Sequence, residues 1–211
     1  MSEGKGSQVN PPSTNGRNRP RVAERKRSTK ETEISVRIDL DGSGVAKVST
    51  GIPFFDHMLE QIGRHGGFDL ELTARGDLDV DTHHTIEDTG IVLGAAFAEA
   101  LGDKAGVRRF ASYLLPLDEA LIQVALDLSG RPFLVYEVDT PAQMIGSFDP
   151  QLAEEFFRAF VTAAGITLHL KSLSGKNGHH MVEASFKGVA RALRDAVRVE
   201  GGDIPSTKEV L

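Results

Sequence analysis

The chain has 211 residues, 40% of them hydrophobic, no cysteine, and a formal net charge of −6. No apolar run is long enough for a signal or membrane span, and the lack of thiols excludes disulfide frameworks and thiolate metal sites while fitting a reducing cytoplasm. The charge is uneven: residues 1–30 hold eight cations and two acids, so this stretch carries +6 and the remaining body −12.

Ser, Asn, Pro and Gly dominate residues 1–30, with Val9 and Val22 almost the only aliphatic side chains. Such a stretch cannot form a core and reads as a disordered basic tail. A nucleic-acid-binding arm is the rival reading, and the acidic body argues against it. Residues 31–211 then read as one domain of two halves, about 31–115 and 118–200, with a short C-terminal segment 201–211.

Ile34 to Leu40 alternates apolar with polar residues and turns at Asp41-Gly42-Ser43-Gly44 into Val45 to Ser49, which predicts a hairpin. Phe54 to Arg64 has helical spacing through Phe55, Met58, Leu59 and Ile62, ended by Gly66-Gly67. Phe68 to Leu72 alternates as a strand, and a second helix follows, stopped by Gly102. The order then repeats. Leu121 to Leu128 and Phe133 to Val138 flank Ser129-Gly130-Arg131-Pro132 as a second hairpin, Leu152 to Ala163 is amphipathic, Ile166 to Leu170 alternates, and a last helix closes the half. Gly67 to Leu72 lies against Gly165 to Leu170 at an offset of 98. This is an α+β chain made of internally duplicated β-β-α-β-α half-domains, with sheets packed against helices.

Each last helix opens on the same motif. His83-His84-Thr85-Ile86-Glu87 and His179-His180-Met181-Val182-Glu183 share the order His-His-x-x-Glu, in a chain with seven histidines. On a helix, positions four apart differ by about 40° and adjacent positions by about 100°. His83 with Glu87, and His179 with Glu183, therefore serve one ion each while His84 and His180 point to another. The 98-residue offset places His57 on Glu155, so each half offers one more ligand. The resulting sets are His84, His179, Glu183 and His57, and His83, Glu87, His180 and Glu155, with the site that His57 joins left open. Imidazole and carboxylate without thiolate suit manganese, iron or zinc. A helical His-Glu-x-x-His, as a metallohydrolase would use, is absent.

The segments Phe54-Phe55-Asp56-His57-Met58, His83 to Thr89, Asp127-Leu128-Ser129-Gly130-Arg131-Pro132, His179 to Ala184 and Pro205-Ser206-Thr207-Lys208 together resemble the imidazoleglycerol-phosphate dehydratase family. The resemblance runs from about Glu31 to the C-terminus. One departure is Glu155, which stands before Phe156-Phe157 where some members carry histidine. The resemblance implies a ribosomal-protein-S5-domain-2-like fold and a manganese-dependent lyase with two Mn(II) per active site. Its reaction would dehydrate D-erythro-1-(imidazol-4-yl)glycerol 3-phosphate to imidazole-acetol phosphate in histidine biosynthesis. It further implies a cytoplasmic homo-oligomer of trimers gathered by metal into a 24-subunit shell, with no nucleic-acid or membrane partner. Arg109, Arg131, Lys187, Ser206 and Lys208 match positions that contact the substrate phosphate, which makes 201–211 a substrate-binding tail. Gln61 matches a substrate contact and Asp118 a position that supports a histidine or arginine. Glu183 is the first candidate for the base, Glu87 the second, and Glu31 a further acid or base.

Overall fold

The computed structural model describes residues 20–208. The first half runs β1 (Val22–Ser28), β2 (Thr32–Asp39), β3 (Ala46–Ser49), α1 (Pro53–Gly66), β4 (Asp69–Gly76) and α2 (His83–Leu101). The second repeats it as β5 (Phe110–Leu117), β6 (Ala120–Asp127), β7 (Phe133–Glu137), α3 (Leu152–Ala164), β8 (Thr167–Ser174) and α4 (Gly178–Ala196). Each half is thus a four-stranded sheet with two helices, and the repeated unit is β-β-β-α-β-α, one strand longer than the alternation pattern predicts.

The extra strands correct two expectations. Residues 22–28, assigned above to a disordered tail, form β1, which pairs antiparallel with β2 from Val22↔Asp39 to Ser28↔Glu33. Residues 1–19 lie outside the described residues. The two predicted hairpins are not hairpins: sheet orders are β1-β2-β4-β3 and β5-β6-β8-β7, so β4 and β8 insert between the strands that are neighbours in sequence. A strand placed there pairs on both edges. β2 runs antiparallel to β4 and β3 parallel to it, which satisfies the backbone of both while α1 makes the crossover.

Register shows where the halves diverge. Ile38 pairs with Leu70 and Leu126 with Leu168, so the offset is 88 through the third strand and 98 after it. The ten additional residues fall in the loop 138–151 between β7 and α3, where the first half has only residues 50–52.

The helices lie between the sheets: α2 packs on β1 and β2, α4 on β5 and β6, and the helices pair as α2 with α3 and α1 with α4. Close approach of α2 to α3 requires glycine. A Cβ on Gly90 would sit 2.7 Å from the Phe156 carbonyl oxygen, and one on Gly94 2.5 Å from that of Phe160. One core runs through both halves, with Phe55, Phe97, Phe156, Phe157 and Phe186 buried and Phe156 5.1 Å from Phe186 between ring centres. Each such ring, fully buried, contributes on the order of 2–3 kcal/mol. No helix of the described residues is long and apolar enough to cross a membrane.

Candidate active site

Both motif helices begin on an Asx side chain two residues ahead of the first histidine. Asp81 accepts the His83 amide at 2.8 Å and Asn177 accepts the His179 amide at 3.0 Å. These contacts satisfy amide donors that the helix itself leaves unpaired, and they fix where each histidine pair leaves the chain.

The first cluster gathers on Glu183, which is 9% exposed. His179 Nε2 lies 3.0 Å from Oε2, His57 Nε2 3.6 Å from Oε1, and Lys187 Nζ 2.6 Å from Oε1. The packing of α1 against α4 brings His57 here, beside His179 and Glu183. Burial acts to raise the Glu183 carboxyl, but the hydrogen bond and charge of Lys187, with the His179 contact, hold it below the usual range. Gln61, expected at substrate, is buried and its Nε2 lies 3.3 Å from His57 Nδ1. The Phe54 ring backs His179 at 4.9 Å and rests in turn on Phe148 of the inserted loop at 5.2 Å.

The second cluster is looser. His83 Nε2 is 3.6 Å from Glu87 Oε2. His84 turns away and places Nδ1 3.0 Å from Asp77 and 3.9 Å from Glu31. Its counterpart His180 places Nδ1 2.8 Å from Glu119, with Asp118 3.8 Å from Nε2. Adjacent rings stand nearly perpendicular, at 85° for His83 and His84 and 83° for His179 and His180. The Asp77 hydrogen bond raises the His84 pKa and the Glu119 hydrogen bond raises that of His180, while His180 and the Asn177 and Lys176 amides pull Glu119 down to about 2. Nothing in the sequence pattern marks Asp77 or Glu119. Asp77 follows directly on the strand that leads to the motif, and Glu119 neighbours Asp118, whose φ of 49° marks the β5–β6 turn.

The ligand sets expected from sequence do not close within one chain. Among the described residues no group of three or more His, Cys, Asp or Glu side chains is placed to hold a metal ion. α2 packs on α3 and α4 on α1, so His84 meets Asp77 and Glu31 instead of His179, and His180 meets Glu119 and Asp118 instead of His83. Glu155 lies on α3, the partner of α2, yet its charge partner is Arg158 at 3.9 Å.

A third group is cationic. Arg109, held at φ 75°, binds Asp127 through Nε at 2.7 Å and Nη2 at 3.1 Å, and donates from Nη1 to the Pro205 carbonyl at 2.7 Å. Arg131 reaches Asp127 at 4.0 Å with its side chain 71% exposed. The segment carrying Ser206 and Lys208 is tied back, since the Glu200 amide donates to the Gly106 carbonyl at 2.8 Å and the Gly106 amide to that of Asp203 at 2.8 Å. The Lys208 amide donates to the Ser206 hydroxyl at 3.2 Å. Lys187 belongs to the Glu183 cluster, and no hydrogen bond or ion pair among the described residues joins it to the Arg109 group. Three groups therefore sit on one chain: a carboxylate with two imidazoles, a looser imidazole–carboxylate set, and two arginines that share Asp127.

The model of the imidazoleglycerol-phosphate dehydratase family matches residues 50–193. The chain is 55% identical over 193 residues to the imidazoleglycerol-phosphate dehydratase of Acidothermus cellulolyticus, covering 91% of this chain and 94% of that one. It is 53% identical over 194 residues to the chloroplastic imidazoleglycerol-phosphate dehydratase 1 of Arabidopsis thaliana, covering 90% and 72%. Its fold is similar to the crystal structure of the Pyrococcus furiosus enzyme, with a TM-score of 0.78 and 39% identity over 89% of this chain and all of that one. The Staphylococcus aureus enzyme gives a TM-score of 0.77 at 36% identity, covering 84% and 99%.

Proposed function

The chain belongs to the imidazoleglycerol-phosphate dehydratase family and is a hydro-lyase of histidine biosynthesis, and we propose that it converts D-erythro-1-(imidazol-4-yl)glycerol 3-phosphate to 3-(imidazol-4-yl)-2-oxopropyl phosphate and water. The observation that carries this reading is the convergence of His57, His179 and Lys187 on one buried carboxylate, Glu183, at the head of a duplicated His-His-x-x-Glu helix. Imidazole nitrogens and a carboxylate held ionised, with no thiolate nearby, fit a first-row divalent ion such as Mn(II), Fe(II) or Zn(II), of which the family resemblance favours Mn(II).

His57, His179 and Glu183 would hold one ion with a His84, and His83, Glu87 and Glu155 a second with a His180. When bound, such ions would supply positive charge to the substrate imidazole and draw electron density into the ring. The rest is the work of side chains. Arg109 and Arg131, with Ser206 and Lys208, take the phosphate, and Lys187 keeps Glu183 ionised.

The proton on the carbon bearing the second hydroxyl passes to a carboxylate as the hydroxyl beside the ring leaves, and the resulting enol tautomerises to the ketone. Both oxygens of Glu183 are committed, one to His179 and one to Lys187 and His57, so it is a poor acceptor. Glu87 has His83 beside it at 3.6 Å. Glu31, half exposed and 3.9 Å from His84, is the least committed, which moves it ahead of Glu183 and Glu87 as the base.

Because the ligand sets do not close in one chain, the ions join copies, in line with trimers that assemble to 24 subunits. The enzyme works in the cytoplasm. Incubating Mn(II)-loaded protein with imidazole-glycerol phosphate and reading the ketone by its absorbance in alkali tests the reaction. Turnover that persists in metal-free protein, or none in loaded protein, rejects it.

A further inference from the structure

Glu31 and Glu119 occupy the same place in the two halves. Each stands immediately before the second strand of its sheet, β2 or β6, and 119 lies 88 positions beyond 31, the offset that holds through the third strand. Their surroundings differ. Glu119 is fully engaged by the His180 ring and the Lys176 and Asn177 amides. The Glu31 side chain is 55% exposed, and its one ion-pair partner among the described residues is His84 at 3.9 Å. Bracing of the imidazole falls instead to Asp77, 3.0 Å from His84 Nδ1, where the second half has Gly175.

A carboxylate so little held keeps its place only if the backbone beneath it is fixed, and the first half supplies that fixing. In the turn at residues 29–32 the Thr29 hydroxyl accepts the Glu31 and Thr32 amides at 3.1 and 2.9 Å, and the Thr29 amide donates to the Thr32 carbonyl at 2.8 Å. A side-chain bond seats the turn on α2: buried Thr32 donates from Oγ1 to Asp88 Oδ2 at 2.5 Å, and Asp88, itself buried, takes Arg27 Nε on its other oxygen at 3.3 Å. A hydroxyl-to-carboxylate bond of this length is among the strong ones. Asp88 lies four residues after His84, one turn along the same helix face. Thr32 also pairs across the sheet with Gly76, and Thr85 packs so closely there that a Cβ on Gly76 would sit 1.9 Å from its hydroxyl. The residues next out from this rung are Glu31 and Asp77, and both converge on His84. At the corresponding positions of the second half stand Ala120 for Thr32 and Ala184 for Asp88.

We propose that Thr32 and Asp88 are positioning residues for the dehydration, tying the β1–β2 turn to the helix that carries His84 and so holding Glu31 beside that imidazole with its oxygens free to receive a proton. The proposal rests on the reading above that Glu31 is the base. The acid that leads into the second strand thus braces a histidine in one half and stands free in the other. Glu119 is fixed by its own contacts and needs no anchor. Glu31 must stay uncommitted, and the Thr32–Asp88 bond holds its backbone instead.

The test is steady-state kinetics on the Mn(II)-loaded full chain, with amide hydrogen exchange on the metal-free protein and thermal melts as a folding control. Glu31→Gln should lower kcat by about 100- to 10,000-fold, the usual worth of a general base. Thr32→Val, which keeps the side-chain shape and removes the hydroxyl, and Asp88→Ala should each lower kcat about 10- to 100-fold with KM and metal content little changed, because a displacement of about 1 Å at a reacting group costs that much. Thr32→Ser should retain most of the wild-type kcat. Added to Glu31→Gln, Thr32→Val should cost nothing further, since residues that act through one group are not additive. The Glu31 and Thr32 amides should exchange about 10-fold faster in Thr32→Val than in wild type or Thr32→Ser, as local opening of an untied turn requires. Wild-type kcat in Thr32→Val and Asp88→Ala, a loss that Thr32→Ser shares, a loss that adds in full on Glu31→Gln, or unchanged exchange at 31 and 32 overturns the positioning role and leaves Glu31 as the base. Full turnover in Glu31→Gln removes the base reading and the positioning with it.

Discussion

Glu119 and His180, far apart in sequence, meet at 2.8 Å between Oε2 and Nδ1. The same carboxylate accepts the Lys176 and Asn177 amides through its other oxygen. One exposed side chain in the β5–β6 turn therefore orients the second histidine of the motif and the segment leading into α4. Asp77 does the same for His84 with less, since it accepts only the imidazole.

Glu119→Gln should consequently lower the His180 pKa in metal-free protein. The sign follows from the directions of the shifts. His180 is raised by Glu119, so the stabilisation it draws from the charged pair is present below about 6.5 and is lost as pH rises through its folded value. Glu119, depressed to about 2, keeps its contribution above its ordinary value near 4.5 and loses it as pH falls through 2. The window of the intact pair lies between those limits. An NMR titration of the His180 ring should show a midpoint displaced toward 6.5 in the variant, and an unchanged midpoint would assign the shift elsewhere.

A cut ahead of Pro20 leaves every described strand pair intact, whereas deleting residues 20–28 removes β1. β2 then becomes an open edge over Ile34, Val36 and Ile38, and Asp88 loses its contact with Arg27 at 3.3 Å. With each lost backbone hydrogen bond worth about 1 kcal/mol net, destabilisation should exceed roughly 3 kcal/mol and expose an edge prone to pairing between copies. Urea unfolding of the two truncations decides it.

Why β1 escapes a sequence reading is plain in its side chains. Ala23 is its only buried residue, and Glu24, Arg25, Lys26 and Arg27 all face solvent, so no alternation marks it. β5 escapes for the opposite reason: Phe110, Leu114 and Pro116 are exposed opposite the half-buried Ala111, Tyr113, Leu115 and Leu117, and both faces read as apolar. The remaining elements were legible because periodicity reports burial. It does not report partners, which is why β2 and β3 looked like a hairpin until β4 was seen between them. In the site, the nearness of His57 to Glu183 depends on α1 packing on α4, a tertiary contact with no local signature. Asp77 and Glu119 are acids in turns, with nothing local to separate them from solvated ones.

Gly94→Ala should destabilise despite alanine's better helix propensity. Propensity favours the change by about 1 kcal/mol, but the new Cβ would lie 2.5 Å from the Phe160 carbonyl oxygen and 2.9 Å from the Ala163 Cβ, backbone and core that cannot swing aside. Overpacking of this kind costs about 1–3 kcal/mol, so the net should be a loss of up to about 2 kcal/mol with turnover at low temperature retained. A stabilised variant in thermal melts would mean that α2 and α3 stand further apart.

The last prediction concerns the division of ligands between ions. His83 and His84 already keep different company, Glu87 for the first and Asp77 with Glu31 for the second, and α2 projects them about 100° apart. If His84 shares an ion with His179, then His84→Ala and His179→Ala should each deplete the same metal, and the double variant should bind metal little worse than either single one. A group of ligands acts as a unit, so a second deletion from a broken site has little left to remove. His84→Ala with His180→Ala should instead empty both sites and abolish assembly as well as turnover. Metal counting on the purified proteins separates the cases, and the assignment fails if His83→Ala and His84→Ala deplete one and the same ion.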